Sequence, residues 1–511
     1  MDNHNPLQGN EVVPDSSALK GRTIVCCFDG TGNKFGENSN VVRFFRALKK
    51  DSPEQLVYYQ PGIGTYTKRQ PLTSVFSTFL SRVDEAVALY LNDHVKEGYR
   101  FIMQNYKEGD KICVFGFSRG AHIARVVAGM LYKIGVLPPH NEQQVDFAFS
   151  VSQIPGEKGN VLSKEFRTTF SRPVKVEFVG VWDTVSSVGI IPRYHRNTSI
   201  NYAVKYVRHA LALDERRARF RPITWNQPTP DNEQDIDVDE PAMQDKTDRD
   251  EWVYEPLDRD YADVQEVWFT GRCSSSCSTP CSYRNLLGCH ADIGGGSHTN
   301  KIKESLSYIP LRWMIKECFV TRTGIMFDNS YLITLGFDLD ILATKLSHLD
   351  IDLEAFHLDS DAIAQLTAER KNRALWEDPS APPPTYTNEN PMRGLRPKRH
   401  AVGLPLKHTR DYIDGLAGIW DQLVLAKGWW ALEYIPMLSA IQDEAGDWWF
   451  KRDQNFGRGR YIPFRSEDEA ILVHESVRDR IEKTKGTPDA YMPAAFNWEL
   501  VEKSGMLVYV A

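Results

Sequence analysis

The segment Gly116-Phe117-Ser118-Arg119-Gly120 follows directly on the apolar run Ile112-Cys113-Val114-Phe115 and leads into a helical pattern with a small-residue face at Ala121, Ala124, Ala128 and Gly129. A serine between two glycines at a strand-to-helix junction is the pattern of a nucleophile on a tight turn. The glycines leave room for the bend, the hydroxyl is pushed to its tip, and the first N–H groups of the helix face a developing oxyanion. A serine hydroxyl is a weak nucleophile alone, so the chain must also supply a base to take its proton and a carboxylate to hold that base.

The order serine, aspartate, histidine is the one expected on an α/β-hydrolase sheet. Asp183 ends the apolar segment VEFVGVW and is the candidate acid, while His290 in Cys289-His290-Ala291-Asp292-Ile293-Gly294-Gly295-Gly296 is the candidate base. The glycine run places His290 in a loop approached closely by another stretch of backbone. Asp292 competes for the role of acid, but so near the base in the same loop it reads as a turn anchor. His122 and His298 are weaker bases, His122 because it lies in the first turn of the serine's own helix. Oxyanion donors are expected from the backbone of Arg119 and from Gly30 or Thr31, in the turn-rich Asp29-Gly30-Thr31-Gly32-Asn33. An aspartyl phosphatase reading of that loop needs an aspartate two positions before Asp29, and Cys27 stands there.

These side chains need a scaffold. Arg22 to Phe28, Val57 to Tyr59, Ile112 to Phe115, Val174 to Trp182 and Val264 to Phe269 read as strands, and apolar residues from Val83 to Tyr106 recur at helical spacing. Strands alternating with helices predict an α/β, hydrolase-like fold, a mostly parallel sheet with helices on both faces. In such sheets the functional groups gather at the carboxyl ends of the strands, where Asp29, Ser118 and Asp183 all fall.

The 511 residues leave room for more than one unit. The expected layout is a disordered tail over 1–20, a catalytic domain over 21–340, a linker-like, proline-bearing segment with a basic end over 377–400, and a tryptophan-rich helical C-terminal region over 401–511. Within the catalytic domain, 230–251 is a carboxylate-rich excursion without the register of a calcium loop. With 61 basic against 68 acidic side chains and a net charge of −7, no global basic field recruits nucleic acid. The polar N-terminus carries no secretory signal and no stretch is long and apolar enough to span a membrane, so the expected location is cytoplasmic or peripheral at a membrane surface. Eight cysteines are too few for a disulfide scaffold.

FDGTGN (28–33), GFSRGAHIAR (116–125), VGVWDTV (179–185), HALALDERRARFRPITW (209–225), EVWF (266–269) and CHADIGGG (289–296) together resemble a family of predicted α/β hydrolases that includes the type VI secretion phospholipase effectors. The resemblance spans roughly residues 21–320 and implies a Ser118, Asp183, His290 triad and lipid ester hydrolysis. One departure is Arg272 to Gly288 (RCSSSCSTPCSYRNLLG), which separates EVWF from the histidine motif; it is either a genuine surface loop or an untranslated intron retained in the gene prediction. The spacing of Cys273, Cys277, Cys281 and Cys289 matches no common zinc pattern, so no metal and no organic cofactor are expected.

In the C-terminal region, Leu416 to Leu438 is long, apolar and rich in tryptophan, and two readings stand: a lid or interfacial helix touching a membrane, or a helix packed on the catalytic domain. The functional expectation is a serine esterase acting on a lipid or phospholipid ester through an acyl-enzyme. The alternative is a non-catalytic interaction protein retaining a hydrolase scaffold.

Overall fold

The computed structural model describes residues 21–30, 36–62, 76–154, 156–185, 204–225, 262–271, 289–297, 299–302, 304–339, 342, 409–415, 417, 423, 430–442, 448–463, 470–487 and 490–511. The tail 1–20, Thr31, the excursion 230–251, the insertion 272–288, His298, the linker 377–400 and most of 416–429 lie outside the described residues.

Among the described residues there are ten strands: β1 Thr23–Phe28, β2 Gln55–Gln60, β3 Lys111–Phe117, β4 Val176–Trp182, β5 Val204–Ala212, β6 Asp263–Phe269, β7 Met437–Gln442, β8 Trp448–Asp453, β9 Ile471–His474 and β10 Leu507–Val510. Eight form one sheet in the order β10-β9-β6-β5-β4-β3-β1-β2, and every pairing in it is parallel. β1, paired on both sides by β3 and the edge strand β2, is buried along its whole length, as expected of a β-branched and cysteine-rich run in a parallel sheet covered on both faces. Its side chains alternate between two cores. Ile24, Cys26 and Phe28 join Ile112 and Val114 beneath helices α2 (Phe76–Asn105), α3 (Arg119–Ile134), α4 (Val145–Ser152) and α5 (Gly156–Phe170). Val25 and Cys27 join Cys113, Phe115 and Phe117 on the other face, under α1 (Asn40–Ala47), α6 (Cys289–Gly294), α7 (Tyr308–Val320) and α8 (Asn329–Thr334). This is the α/β class with helices on both faces that the alternation predicts.

The register aligns the strand ends that matter. Phe28 pairs with Gly116, and Phe117 pairs with Trp182, which in turn pairs with Ala210. Asp29, Ser118 and Asp183 are each the next residue outward, so all three stand on the carboxyl rim. The ladder continues one step past the strands, with Ser118 N–H donating to Trp182 O (3.0 Å) and Asp183 N–H donating to Ala210 O (2.8 Å).

Three expectations need correction. The C-terminal region is not simply helical: beside α9 (Thr409–Gly415), α10 (Trp430–Glu433), α11 (Glu475–Thr484) and α12 (Trp498–Lys503), it supplies β9 and β10 to the main sheet and the separate antiparallel pair β7 and β8. Two four-residue strands carry too little pattern to stand out, and they exist because β6 offers an open edge and Val473, Val477 and Trp498 close a third core over Leu211 and Trp268. β5 was not among the expected strands because Lys205, Arg208 and His209 interrupt its apolar pattern. Arg208 is nevertheless buried, its charge met by Glu317 at 2.5 Å and Asp263 at 3.2 Å. Finally, His290 lies in the first turn of the short helix α6 rather than in a loop. The glycines that follow it serve close packing: a Cβ on Gly294 would stand 1.9 Å from the Phe117 ring, and Gly295 takes φ 75° to end the helix. Among the described residues no helix is long and apolar enough to cross a membrane.

Candidate active site

The turn that carries Ser118 is sterically determined. Ser118 has φ 58° and ψ −120°, a region L-residues rarely occupy, and it immediately precedes α3. Strain of this kind costs about 1–3 kcal/mol and persists where the surroundings leave no alternative. Here the surroundings are two glycines. A Cβ on Gly116 would lie 2.3 Å from Gly120 O, and one on Gly120 would lie 2.1 Å from Phe28 O and 2.6 Å from Asp29 O. The helix start is therefore wedged against its own strand and against the end of β1, which forces the serine outward. Arg119 N–H follows at the start of α3, where backbone donors have no partner within the helix. Gly30 N–H donates to the Oδ1 of Asp29 (2.7 Å), whose carboxylate also accepts from Ser39 Oγ (2.7 Å) and Tyr59 OH (2.8 Å). Asp29 thus ties the first loop to α1 and β2.

Asp183, at φ 46°, is fully buried at the end of β4. Its Oδ1 accepts from Ala212 N–H (2.9 Å) and from Arg460 Nη1 (2.5 Å), and its Oδ2 accepts from Arg460 Nη2 (2.8 Å) and from His290 Nδ1. Burial alone would push this carboxyl up. The Arg460 guanidinium and the His290 contact outweigh it and hold the group ionised, well below the usual carboxylate range.

His290 is buried between two rings, Phe117 with centroids 4.6 Å apart and Phe220 at 4.9 Å. Its backbone N–H donates to Glu215 Oε2 (3.1 Å), and Glu215 is in turn gripped by Arg217 through Nε (2.9 Å) and Nη2 (2.8 Å). Desolvation lowers the imidazole's affinity for a proton, and Asp183 pulls against it without restoring the ordinary value of 6.5. The ring is a neutral base that donates Nδ1–H to the carboxylate. Its Nε2 is buried and makes no hydrogen bond among the described residues, including none with Ser118 Oγ. Such contacts are often long in unliganded sites and tighten when substrate arrives.

Asp183 and His290 are thus in direct contact, and Ser118 follows Phe117, whose ring packs on His290, and is bonded through its backbone to Trp182, the residue before Asp183. Asp292 is buried in the same short helix, and His122 is buried on α3. Gly30 is adjacent to Phe117, whose ring a Cβ there would approach at 2.9 Å.

Sequence reading did not single out Glu215, Phe220 or Arg460. For Glu215 a signal exists, since Asp214-Glu215-Arg216-Arg217 is a dense charge cluster directly after a buried strand. The cluster is built into the fold: Asp214 accepts from Gly271 N–H (2.7 Å), Tyr491 OH (2.7 Å) and Ala494 N–H (2.7 Å). Nearby, His209 Nε2 accepts from Thr184 N–H (3.1 Å) while its Nδ1 meets Glu266 at 2.9 Å. This second buried pair fixes the residue after Asp183.

The model of a family described as T6SS, phospholipase effector Tle1-like, catalytic domain matches residues 22–317. The uncharacterized protein YEL023C of Saccharomyces cerevisiae is 27% identical over 567 residues, spanning 92% of this chain and 80% of that protein. Among solved structures, an uncharacterized protein from Pseudomonas aeruginosa is similar at 15% identity and a TM-score of 0.32, covering 65% of this chain and 51% of its own. A Tle1 effector bound to the VgrG spike of the type 6 secretion system is similar at 18% identity and a TM-score of 0.27, covering 54% and 51%. The chain spans about half the length of those two solved chains. With more than half of its length matched, over residues 22–317, the chain belongs to the Tle1-like phospholipase effector catalytic domain family.

Proposed function

We propose that the protein is a serine hydrolase of lipid esters, phospholipids foremost, working through an acyl-enzyme on Ser118, His290 and Asp183. The observation that carries this reading is a serine held at φ 58° on a glycine-walled turn, directly after the phenylalanine whose ring packs on a histidine already bonded to a buried, ionised aspartate. Each member has the state its role requires. The imidazole is neutral and has a free Nε2, the aspartate is charged, and the serine precedes a helix N-terminus.

In the proposed cycle Ser118 Oγ attacks the ester carbonyl carbon as His290 Nε2 takes the hydroxyl proton. Negative charge collects on the former carbonyl oxygen, which Arg119 N–H stabilises. Collapse of the tetrahedral intermediate breaks the bond to the alcohol oxygen, which leaves with the proton from His290. Water then adds to the acyl carbon as His290 Nε2 takes its proton, and collapse of this second intermediate breaks the Ser118 Oγ–carbon bond, returns the proton from His290 to Ser118 Oγ and releases the fatty acid. Asp183 stays ionised throughout and offsets the imidazolium charge. Gly30 serves as a second oxyanion donor once its N–H turns away from Asp29 Oδ1, with Thr31 next to it as the alternative donor. No step requires a metal or organic cofactor, and the aliphatic substrate fits peripheral membrane contact through 416–438.

Ser118→Ala tests the reading. Wild type should react with a fluorophosphonate probe and release fatty acid from a phospholipid panel, and the variant should do neither while keeping its melting temperature. Phospholipid turnover retained by the variant would sink the nucleophile assignment, and an unreactive wild type would favour a scaffold that serves only as an interaction protein.

A further inference from the structure

Arg460 lies beyond residues 22–317, the span that defines the family match, yet it makes the densest set of contacts to the candidate acid. Its two terminal nitrogens reach the two oxygens of Asp183 at 2.5 and 2.8 Å, the fork geometry that arginine offers and lysine cannot. The remaining donors are also engaged, Nη1 with Ala212 O (2.9 Å) and Nε with Phe220 O (3.0 Å), so the guanidinium is fixed in its plane. Its backbone is equally constrained. Arg460 O accepts from Phe496 N–H (2.8 Å), and a Cβ on the preceding Gly459 would stand 1.6 Å from Ala494 O.

We infer that Arg460 is a positioning residue of the proposed hydrolase, setting the plane and charge of Asp183 so that Oδ2 faces His290 Nδ1. The inference rests on the triad reading above. A carboxylate bonded to only one partner can rotate about its Cβ–Cγ bond. One clamped at both oxygens by a fixed fork presents a single edge to the imidazole. The fork also neutralises part of the carboxylate charge, which limits how strongly Asp183 can retain a proton on His290. The other charged and titratable groups facing the pair are Glu215 and Arg217 from the loop after β5, and His209 on β5, backed by Glu266 and Arg125. None of these touches both oxygens of Asp183.

Two effects follow when the fork is removed. Among the described residues Asp183 is then held only by Ala212 N–H on Oδ1 and His290 on Oδ2, so its plane is less tightly set, and its uncompensated charge stabilises the imidazolium. The pH midpoint at which the site gains reactivity therefore moves upward. A residue with only a structural role would lower the amount of folded protein without moving that midpoint.

The test is the rate of fluorophosphonate labelling of the full chain across pH, with the folded fraction measured alongside, for wild type, Arg460→Met and Arg460→Lys. Arg460→Met should label about a hundredfold more slowly per folded molecule, with the acid midpoint raised by about one unit. Arg460→Lys keeps a charge without the fork, so it should label slowly with a midpoint near that of wild type. If Arg460→Met fails to fold, Arg460→Lys decides the matter, and a wild-type rate in that variant overturns the inference. Folded Arg460→Met with wild-type rate and midpoint overturns it equally. Failure of wild type to label at any pH would instead remove the hydrolase reading itself.

Discussion

Gly120 illustrates how little freedom the turn residues have. Its Cα lies where a methyl group would meet two carbonyl oxygens of the β1 end, at 2.1 and 2.6 Å, and neither oxygen can move without breaking the central sheet. Gly120→Ala should therefore lose about 1–3 kcal/mol or more, read as a lower urea midpoint, and should also lose fluorophosphonate reactivity because α3 is displaced from Ser118. This requirement is visible in the sequence, since a glycine two places either side of a serine after an apolar run has few other uses. Asp183 and His290 are visible for a similar reason, as polar residues at the ends of apolar or glycine-marked segments. Arg460 has no comparable signal. It is one of 61 basic residues, in a segment whose place against β4 is decided by tertiary contacts far along the chain.

At the scale of elements, the loop after β5 is held from the C-terminal side. Glu433, at the end of α10, is buried and accepts from Ala218 N–H (2.8 Å), Asn455 Nδ2 (2.6 Å) and Gly457 N–H (3.1 Å). It joins the loop bearing Glu215 and Phe220 to the segment bearing Arg460. Glu433→Ala strands the Ala218 and Gly457 N–H groups, while Asn455 Nδ2 keeps Arg216 O (2.6 Å), and the expected loss is roughly 2–3 kcal/mol in urea unfolding together with slower labelling of Ser118. α10 falls inside the apolar stretch 416–438. Its described part ends in this polar anchor on the catalytic domain, which favours the packed reading for residues 430–433, while most of 416–429 lies outside the described residues. The long elements were readable because their periodicity repeats over several turns or alternations. β5 was hidden by paired charges, and β9 and β10 by brevity. In each case the physical reason is the same: tertiary partners satisfy a pattern that is weak locally.

At the scale of the whole molecule, the buried His209, His290 and His474 stay neutral in the folded state. Desolvation lowers His209 and His290, and it pushes His474, stacked on Phe269, down to about 3. For a base whose folded pKa is depressed, the unfolded chain takes up protons first, so stability is full above the ordinary value of 6.5 and falls as pH drops below it. Asp183 and Glu215, the latter near 2, are acids with depressed values. Their contribution is present above the ordinary carboxylate range and is lost further down. Urea midpoints should therefore decline steadily from neutrality, with His474 alone contributing about 2 kcal/mol of loss by roughly pH 5. His474→Gln should flatten the first part of that decline, and a stability curve that is level between neutrality and pH 5 would contradict the assignment.

The order of strands in the main sheet also has a bearing on biosynthesis. β6 waits for a neighbour that is encoded some two hundred positions later, and the guanidinium that grips Asp183 is translated late as well. A nascent chain emerging from the ribosome with its serine turn already formed would still lack both. Under the proposed triad, acyl-transfer chemistry would be withheld until the chain has been made through Arg460, and shorter products would carry Ser118 without the guanidinium that grips Asp183.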